Sequence, residues 1–269
     1  MGESGERVTV EIRDHVADIR LNRPDKLNAL DPAMFDALIG AGERLAADTT
    51  VRAVILSGEG RGFCAGLDME SFAAMAAGGG IGDITQRTHS PANMFQQAAL
   101  VWRQLPVPVI AAIHGVAFGG GLQIALGADM RIVAPDARLS VMEIKWGIVP
   151  DMGGMLLMRR LMRADVIRQL TFTGRIVSGE EAQRIGLATA IHDDPLRDAL
   201  EAAREIATRS PDALRAAKRL LNEADDERAA EILIAESRAQ KALLGSPNQI
   251  EAARANLERR PPVFRDPDA

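Results

Sequence analysis

The chain has 269 residues, 47% of them apolar and 26% charged, with 37 acidic and 32 basic side chains and a net charge of −5. That balance excludes a disordered or fibrous chain. It also offers no basic excess for phosphate backbones, so no nucleic-acid partner is expected. A single cysteine, Cys64, excludes an internal disulfide, and four scattered histidines (His15, His89, His114, His192) speak against a His-rich metal centre, so no metal is expected.

The first seven residues are polar and acidic and do not read as a signal peptide. Residues 105–128 form the longest apolar stretch, broken by Pro106, Pro108, His114, Gln123 and five glycines, so no membrane span is expected. A cytoplasmic location follows as the expectation. Val8, Val10 and Ile12 alternate with polar residues, as do residues 16–21, and Arg13-Asp14-His15 reads as the turn of a hairpin. Asn22-Arg23-Pro24-Asp25 ends the second strand, because proline cannot join a ladder. Asp31-Pro32 opens a helix as cap and first-turn residue, with Met34, Leu38, Ala41 and Leu45 on its inner face.

Short apolar runs at 52–58, 108–113 and 129–134 read as buried strands separated by helices, which predicts an α/β fold with mostly parallel pairing. The glycine-rich segment 76–82 reads as a loop beside whatever those strands present. After Asp194 the composition turns to Ala, Leu, Arg and Glu at helical spacing, with breaks at Ser210-Pro211 and Gly245-Ser246-Pro247. The expected organisation is a core over 1–194 and a region of about four helices over 195–269.

Two glycine-rich turns follow strands, at 58–68 and at 114–123, and the second runs straight into a helical stretch. Such a turn collects unpaired backbone N–H groups that stabilise an anionic oxygen. Two tight structural turns would satisfy the pattern equally. Between residues 140 and 154, Glu143 and Asp151 stand among Met142, Ile144, Ile148 and Val149. Apolar surroundings raise a carboxyl pKa and make a proton shuttle. The alternatives are that Glu143 pairs with Lys145 or an arginine, and that Asp151 caps a helix starting at Met152. His114 is expected to bond a backbone carbonyl, Cys64 to fill apolar space, and Trp146 to form a pocket wall. Met152, Met155, Met158 and Met162 are expected to face the core or an acyl pocket.

Taken in order, Leu21-Asn22-Arg23-Pro24, Gly62-Phe63-Cys64-Ala65-Gly66-Leu67-Asp68, the 115–121 glycine turn, residues 143–154 and Thr173-Gly174-Arg175 resemble the crotonase (enoyl-CoA hydratase/isomerase) superfamily. Pro262-Val263-Phe264-Arg265-Asp266 is similar to the family's tail. The resemblance implies a spiral of ββα units followed by a C-terminal helical trimerisation region. It implies an acyl-CoA substrate, a homotrimer or a dimer of trimers, and no cofactor beyond the coenzyme A carried by the substrate. It places the oxyanion hole at the amides of Leu67 and Gly120. It places coenzyme A contacts at Lys26, Leu27, Ala65, Leu67, Asp68, Met69 and Gly120, and at Phe264 and Arg265 of a neighbouring copy.

Hydratases of this family carry two glutamates across a water. One matches Glu143, but the other falls on Gln123, which has no proton to trade near neutral pH. The family's dienoyl-CoA isomerases carry an acid at the Glu143 position and an aspartate eight residues later, matching Asp151. The expected catalytic set is therefore Glu143, Asp151, Leu67, Gly120 and Gln123, with double-bond isomerisation favoured. The competing expectations are hydration by Glu143 with a water oriented by Gln123, and a catalytically silent binder of acyl-CoA.

Overall fold

A computed structural model describes residues 6–71, 83–225 and 229–263. The hairpin forms as the alternation predicts: β1 (Val8–Arg13) pairs antiparallel with β2 (Val16–Leu21), and Asp14 and His15 turn between them at positive φ. Parallel strands β3 (Ala53–Gly58), β4 (Val109–Ile113) and β6 (Met130–Val133) extend the sheet, and the short β9 (Ala190–Ile191) closes it in the order β1-β2-β3-β4-β6-β9.

The central strands are apolar along their whole length because both faces of the sheet are covered. Val54 and Leu56, with Val109, Ala111 and Ile113, point into the main core. Ala53, Ile55, Ile110, Ala112 and Ile132 point the other way, onto Ala199, Ala203 and Ala207 of the helix Pro195–Ala207. That helix, grouped by sequence with the C-terminal region, thus lies against the sheet. The main core packs against α1 (Pro32–Ala47), whose cap Asp31 accepts from the Met34 amide, and against α2 (Met94–Gln104), capped by Asn93.

A second sheet, β5-β7-β8, is built from strands of two or three residues: β5 (Val116–Phe118), β7 (Arg138–Ser140) and β8 (Val177–Ser178). Runs this short show no periodicity, and the sequence expectation had only a glycine turn at β5. The consequence matters for the site. Cys64 pairs with Ala117, and Leu30 pairs with Leu67, through isolated bridges. The 64–68 segment is thereby held between the β5 turn and the chain entering α1.

α3 (Gly120–Leu126) follows β5 directly, then come α4 (Gly154–Met158), α5 (Ala164–Thr173) and α6 (Gly179–Arg184). With Pro195–Ala207 as α7, the chain ends in α8 (Pro211–Asp225), α9 (Ala229–Leu243) and α10 (Pro247–Glu258). Ser246 caps α10 ahead of Pro247, as the sequence break predicts. Among the described residues no helix is long and apolar enough to cross a membrane.

Candidate active site

The two glycine turns meet. Gly66 adopts φ +90°, and a Cβ there would lie 2.7 Å from the Phe118 carbonyl oxygen and 3.7 Å from the Gly120 amide nitrogen. Only glycine allows the two backbones so close. The Leu30 amide donates to the Gly66 carbonyl at 2.8 Å and the Asp68 amide to the Leu30 carbonyl at 3.0 Å. The Leu67 amide between them therefore faces the opposite side. Gly120 is the first residue of α3, where a helix leaves its amides unpaired. Neither amide has a backbone acceptor among the described residues.

Both residues line a cavity of about 340 Å³. Its walls also carry Lys26, Ala65, Asp68, Met69, Gln123, Glu143 and Asp151, so the structure gathers most of the residues singled out by sequence. Leu27 stands apart from that lining; its carbonyl accepts the Ala65 amide at 2.9 Å and so anchors the turn. Phe264 and Arg265, like the glycine-rich segment 76–82, lie outside the described residues. Apolar walls come from Phe35 and Phe95, packed edge to face at 5.1 Å, and from Met142, Trp146, Ile148 and Met152.

Glu143 opens a short 3-10 turn, Glu143–Trp146, and is only 6% exposed. It pairs with neither Lys145 nor an arginine among the described residues. Its Oε1 accepts from the Gln123 side-chain amide at 2.6 Å, and its buried Oε2 has no partner. Burial pushes this carboxyl up to about 7 against the pull of the surrounding hydrogen bonds. Asp151 is also pushed up to about 7, first by burial and then by the neighbouring Glu143 charge. Two carboxyls so coupled titrate as a pair.

Asp151 is not a helix cap. The helix begins at Gly154, and its N-terminal amides go to two other side chains in alternation. Gln123 Oε1 accepts from Met152 and Gly154, both at 2.9 Å. Glu236 on α9 accepts from Gly153 at 3.0 Å and from Met155 at 2.9 Å. These bonds fix the Gln123 amide with its oxygen on the turn and its nitrogen on Glu143.

Asp68 has a different environment. It accepts from Arg23 Nη1 at 2.7 Å and from the Glu70 and Ser71 amides at 2.9 and 3.2 Å. Its carboxylate is thus committed to holding the loop. His114 Nε2 donates to the Gly60 carbonyl at 2.9 Å. Burial pushes the Cys64 thiol up to about 12, and it rests against the Asn28 carbonyl, as an apolar filler would.

Sequence reasoning missed the contribution of α9. Gln240 and Leu244 line the cavity, the Val149 amide donates to Gln240 Oε1 at 3.0 Å, and Glu236 holds the amides that follow Asp151. A signal was present. Leu233, Glu236, Ser237, Gln240 and Leu244 follow helical spacing, and three of the five are polar where a core-facing stripe should be apolar.

Residues 11–267 match the family model described as enoyl-CoA hydratase/isomerase. The chain belongs to the enoyl-CoA hydratase/isomerase family. It is 31% identical over 256 residues to the mitochondrial Delta(3,5)-Delta(2,4)-dienoyl-CoA isomerase of Dictyostelium discoideum, covering 93% of this chain and 87% of that protein. It is 32% identical over 252 residues to the mitochondrial methylglutaconyl-CoA hydratase of Mus musculus, covering 91% of this chain and 78% of that one. An enoyl-CoA hydratase/isomerase structure from Pseudoalteromonas atlantica superposes with a TM-score of 0.85 at 26% identity, covering 96% of this chain and all of the other. The chain thus has the crotonase fold and belongs among enzymes, and its relatives include both isomerases and hydratases.

Proposed function

We propose that this enzyme moves double bonds in an acyl-CoA, converting a 3,5-dienoyl or a 3-enoyl thioester to its conjugated isomer. The observation that carries this reading is the carboxyl pair Glu143 and Asp151, which has no cationic partner among the described residues and lines the same cavity as Leu67 and Gly120. The thioester carbonyl sits between those amides. Glu143, as carboxylate, takes a proton from the carbon next to the carbonyl. The electron pair moves into the carbonyl and forms an extended enolate, which the two N–H donors stabilise; each such donor is worth about 3 kcal/mol of barrier. Protonated Asp151 then delivers its proton to the far carbon of the dienolate. Glu143 ends protonated and Asp151 ionised, and return of the proton between them resets the site.

Gln123 weighs against hydration. Its oxygen is occupied by two turn amides and its nitrogen holds Glu143, so it supplies neither a proton nor a second base. The thioester is itself the electron sink, so the reaction calls for no further cofactor. Lys26, Ala65 and Met69, on the cavity wall, are the proposed coenzyme A contacts. A homotrimer is the proposed assembly, with the exposed Ile144 and Phe172 among the apolar surface left to cover.

The test is product analysis. Incubation with 3,5-dienoyl-CoA should produce the conjugated 2,4-dienoyl-CoA absorbance, and 3-enoyl-CoA should yield 2-enoyl-CoA. Formation of 3-hydroxyacyl-CoA from 2-enoyl-CoA at the faster rate would replace isomerisation with hydration. Tight acyl-CoA binding without turnover of any of these would leave a silent binder.

A further inference from the structure

Three buried glutamines hydrogen-bond to the segment 143–154, and two of them are committed at both ends of the side-chain amide. Gln123 donates to Glu143 and accepts from the Met152 and Gly154 amides. Gln249, only 2% exposed, donates to the Trp146 carbonyl at 3.2 Å and accepts from the Gly245 amide at 3.1 Å. Gln240, on α9, differs. Its Oε1 takes the Val149 amide at 3.0 Å, but its Nε2 has no acceptor among the described residues. Gln240 is nevertheless buried, at 4% exposure, and it lines the cavity that also holds Glu143, Asp151, Leu67 and Gly120.

The bond to Val149 fixes which end of the amide is spent. The oxygen serves the protein, and the nitrogen keeps its two hydrogens for something else. Capping one backbone N–H calls only for an acceptor, whereas a buried donor left unmet is costly. The helix that carries Gln240 is itself tied down one turn earlier. Glu236 accepts the Gly153 and Met155 amides, and Ser237 Oγ accepts from Arg87 at 3.0 Å and from the Asn93 side chain at 3.1 Å.

We propose that Gln240 is a specificity-determining residue whose Nε2 donates to a neutral oxygen, an oxo group in first place, on the acyl chain of the substrate. This deepens the acyl-CoA reading above and rests on it. The charges on the cavity wall select the class of oxygen. Lys26 is the one cation on that wall among the described residues, 3.8 Å from Glu70, while Asp68, Glu70, Glu143 and Asp151 are all acids. A carboxylate on the acyl chain would meet this acidic excess without a free cation to pair it. An ammonium has no lone pair to offer Nε2, and a plain hydrocarbon leaves Nε2 unmet. An oxo oxygen accepts the bond and brings no hydrogen that needs a partner of its own. Phe95, Trp146, Ile148 and Leu244 on the same wall suit the hydrocarbon remainder of the chain.

The experiment is calorimetric binding of saturated acyl-CoAs to the full-length enzyme. One series keeps the chain length fixed and steps a single oxo group along the carbons beyond the third. The plain chain and a chain ending in a carboxylate are the comparisons. The proposal expects one oxo position to bind about five- to tenfold more tightly than the plain chain, and the carboxylate chain to bind no better than the plain one. Gln240→Met keeps the bulk and removes the donor, so the ratio of oxo to plain affinity should fall to about one. A residue that only capped the Val149 amide would give no oxo preference in the wild type, and its loss would weaken both chains alike. Equal affinity for the plain chain and every oxo chain, tightest binding of the carboxylate chain, or an oxo preference that survives in Gln240→Met would overturn the proposal. Should Gln240→Met fail to fold, nitrogen-15 NMR of the wild-type enzyme decides. The favoured oxo chain should move the Gln240 side-chain amide resonance away from its position with the plain chain, and coincident resonances would overturn the proposal. An oxo preference without any isomerisation would remove the reaction assignment and leave the role of Gln240 standing. Failure of every acyl-CoA to bind would overturn both.

Discussion

Two turns wall the same cavity, and each presents a buried carboxyl, yet they treat it in opposite ways. In the turn after Gly66, burial would raise Asp68, but the Arg23 guanidinium and the Ser71 and Glu70 amides outweigh it and hold the carboxyl below its ordinary value. In the segment 143–155, Glu143 and Asp151 line the same cavity with no guanidinium partner among the described residues, and both carboxyls rise to about 7. The first environment makes a carboxylate a permanent anchor. The second makes it a group that exchanges protons near neutral pH. Residue type does not separate structure from chemistry here; the presence or absence of a cation does.

The sharpest break of that comparison is Glu143→Gln. It removes the base while keeping a side chain that fits Gln123, so kcat for isomerisation should fall about 10²- to 10⁴-fold. Affinity for a non-reacting acyl-CoA, measured by calorimetry, should change little. Retention of full activity would transfer the role of base to Asp151. Asp68→Asn should do the reverse. It leaves Arg23 without its closest partner in a nearly closed site, costing about 3 kcal/mol of stability. Chemical denaturation should read that loss, and kcat should fall far less than in Glu143→Gln.

The pH dependence of stability carries the same contrast. Glu143 and Asp151 hold protons in the native state at pH values where the unfolded chain has released them, since their values rise from 4.5 and 3.8 to about 7. The native state then binds more protons than the unfolded state, so stability falls as pH rises from about 4 to 7. The urea midpoint should therefore be higher at pH 5 than at pH 8, and Glu143→Gln should flatten the decline. A midpoint that rises over this interval would contradict the environment assigned to the pair. The smallest effect belongs to Lys26, a half-exposed ammonium at the cavity edge. Lys26→Ala should raise KM for an acyl-CoA by no more than about fivefold, the scale of an exposed charge contact, with kcat unaffected.

Much of this was legible in the sequence because the strongest signals are local. The alternation at Val8, Val10 and Ile12, the Asp31-Pro32 cap and the apolar strands at 53–58 and 109–113 depend on neighbours within a few residues. The glycine turns were legible as turns, and the family resemblance supplied the meeting of Leu67 with Gly120. What stayed hidden is set by distance along the chain. The strands of the second sheet are too short for a periodic pattern. The partner of the Gly153 amide lies 83 residues away, at Glu236. Asp151 followed by a short helix looks like a cap, and only the fold reveals that Gln123 and Glu236 have taken the amides it would have capped. Glu143 before Lys145 suggests an ion pair, and only the burial of Glu143 against Gln123 shows otherwise.

The central claim is that two backbone amides stabilise an enolate while Glu143 removes the proton that creates it. A saturated acyl-CoA cannot isomerise or take up water across a double bond, but it can still exchange the hydrogens next to its thioester. Incubated with the enzyme in deuterium oxide and followed by proton NMR, it should lose those hydrogens, and Glu143→Gln should abolish the loss. Absence of exchange in the wild-type enzyme, or exchange at an equal rate in Glu143→Gln, would contradict the account.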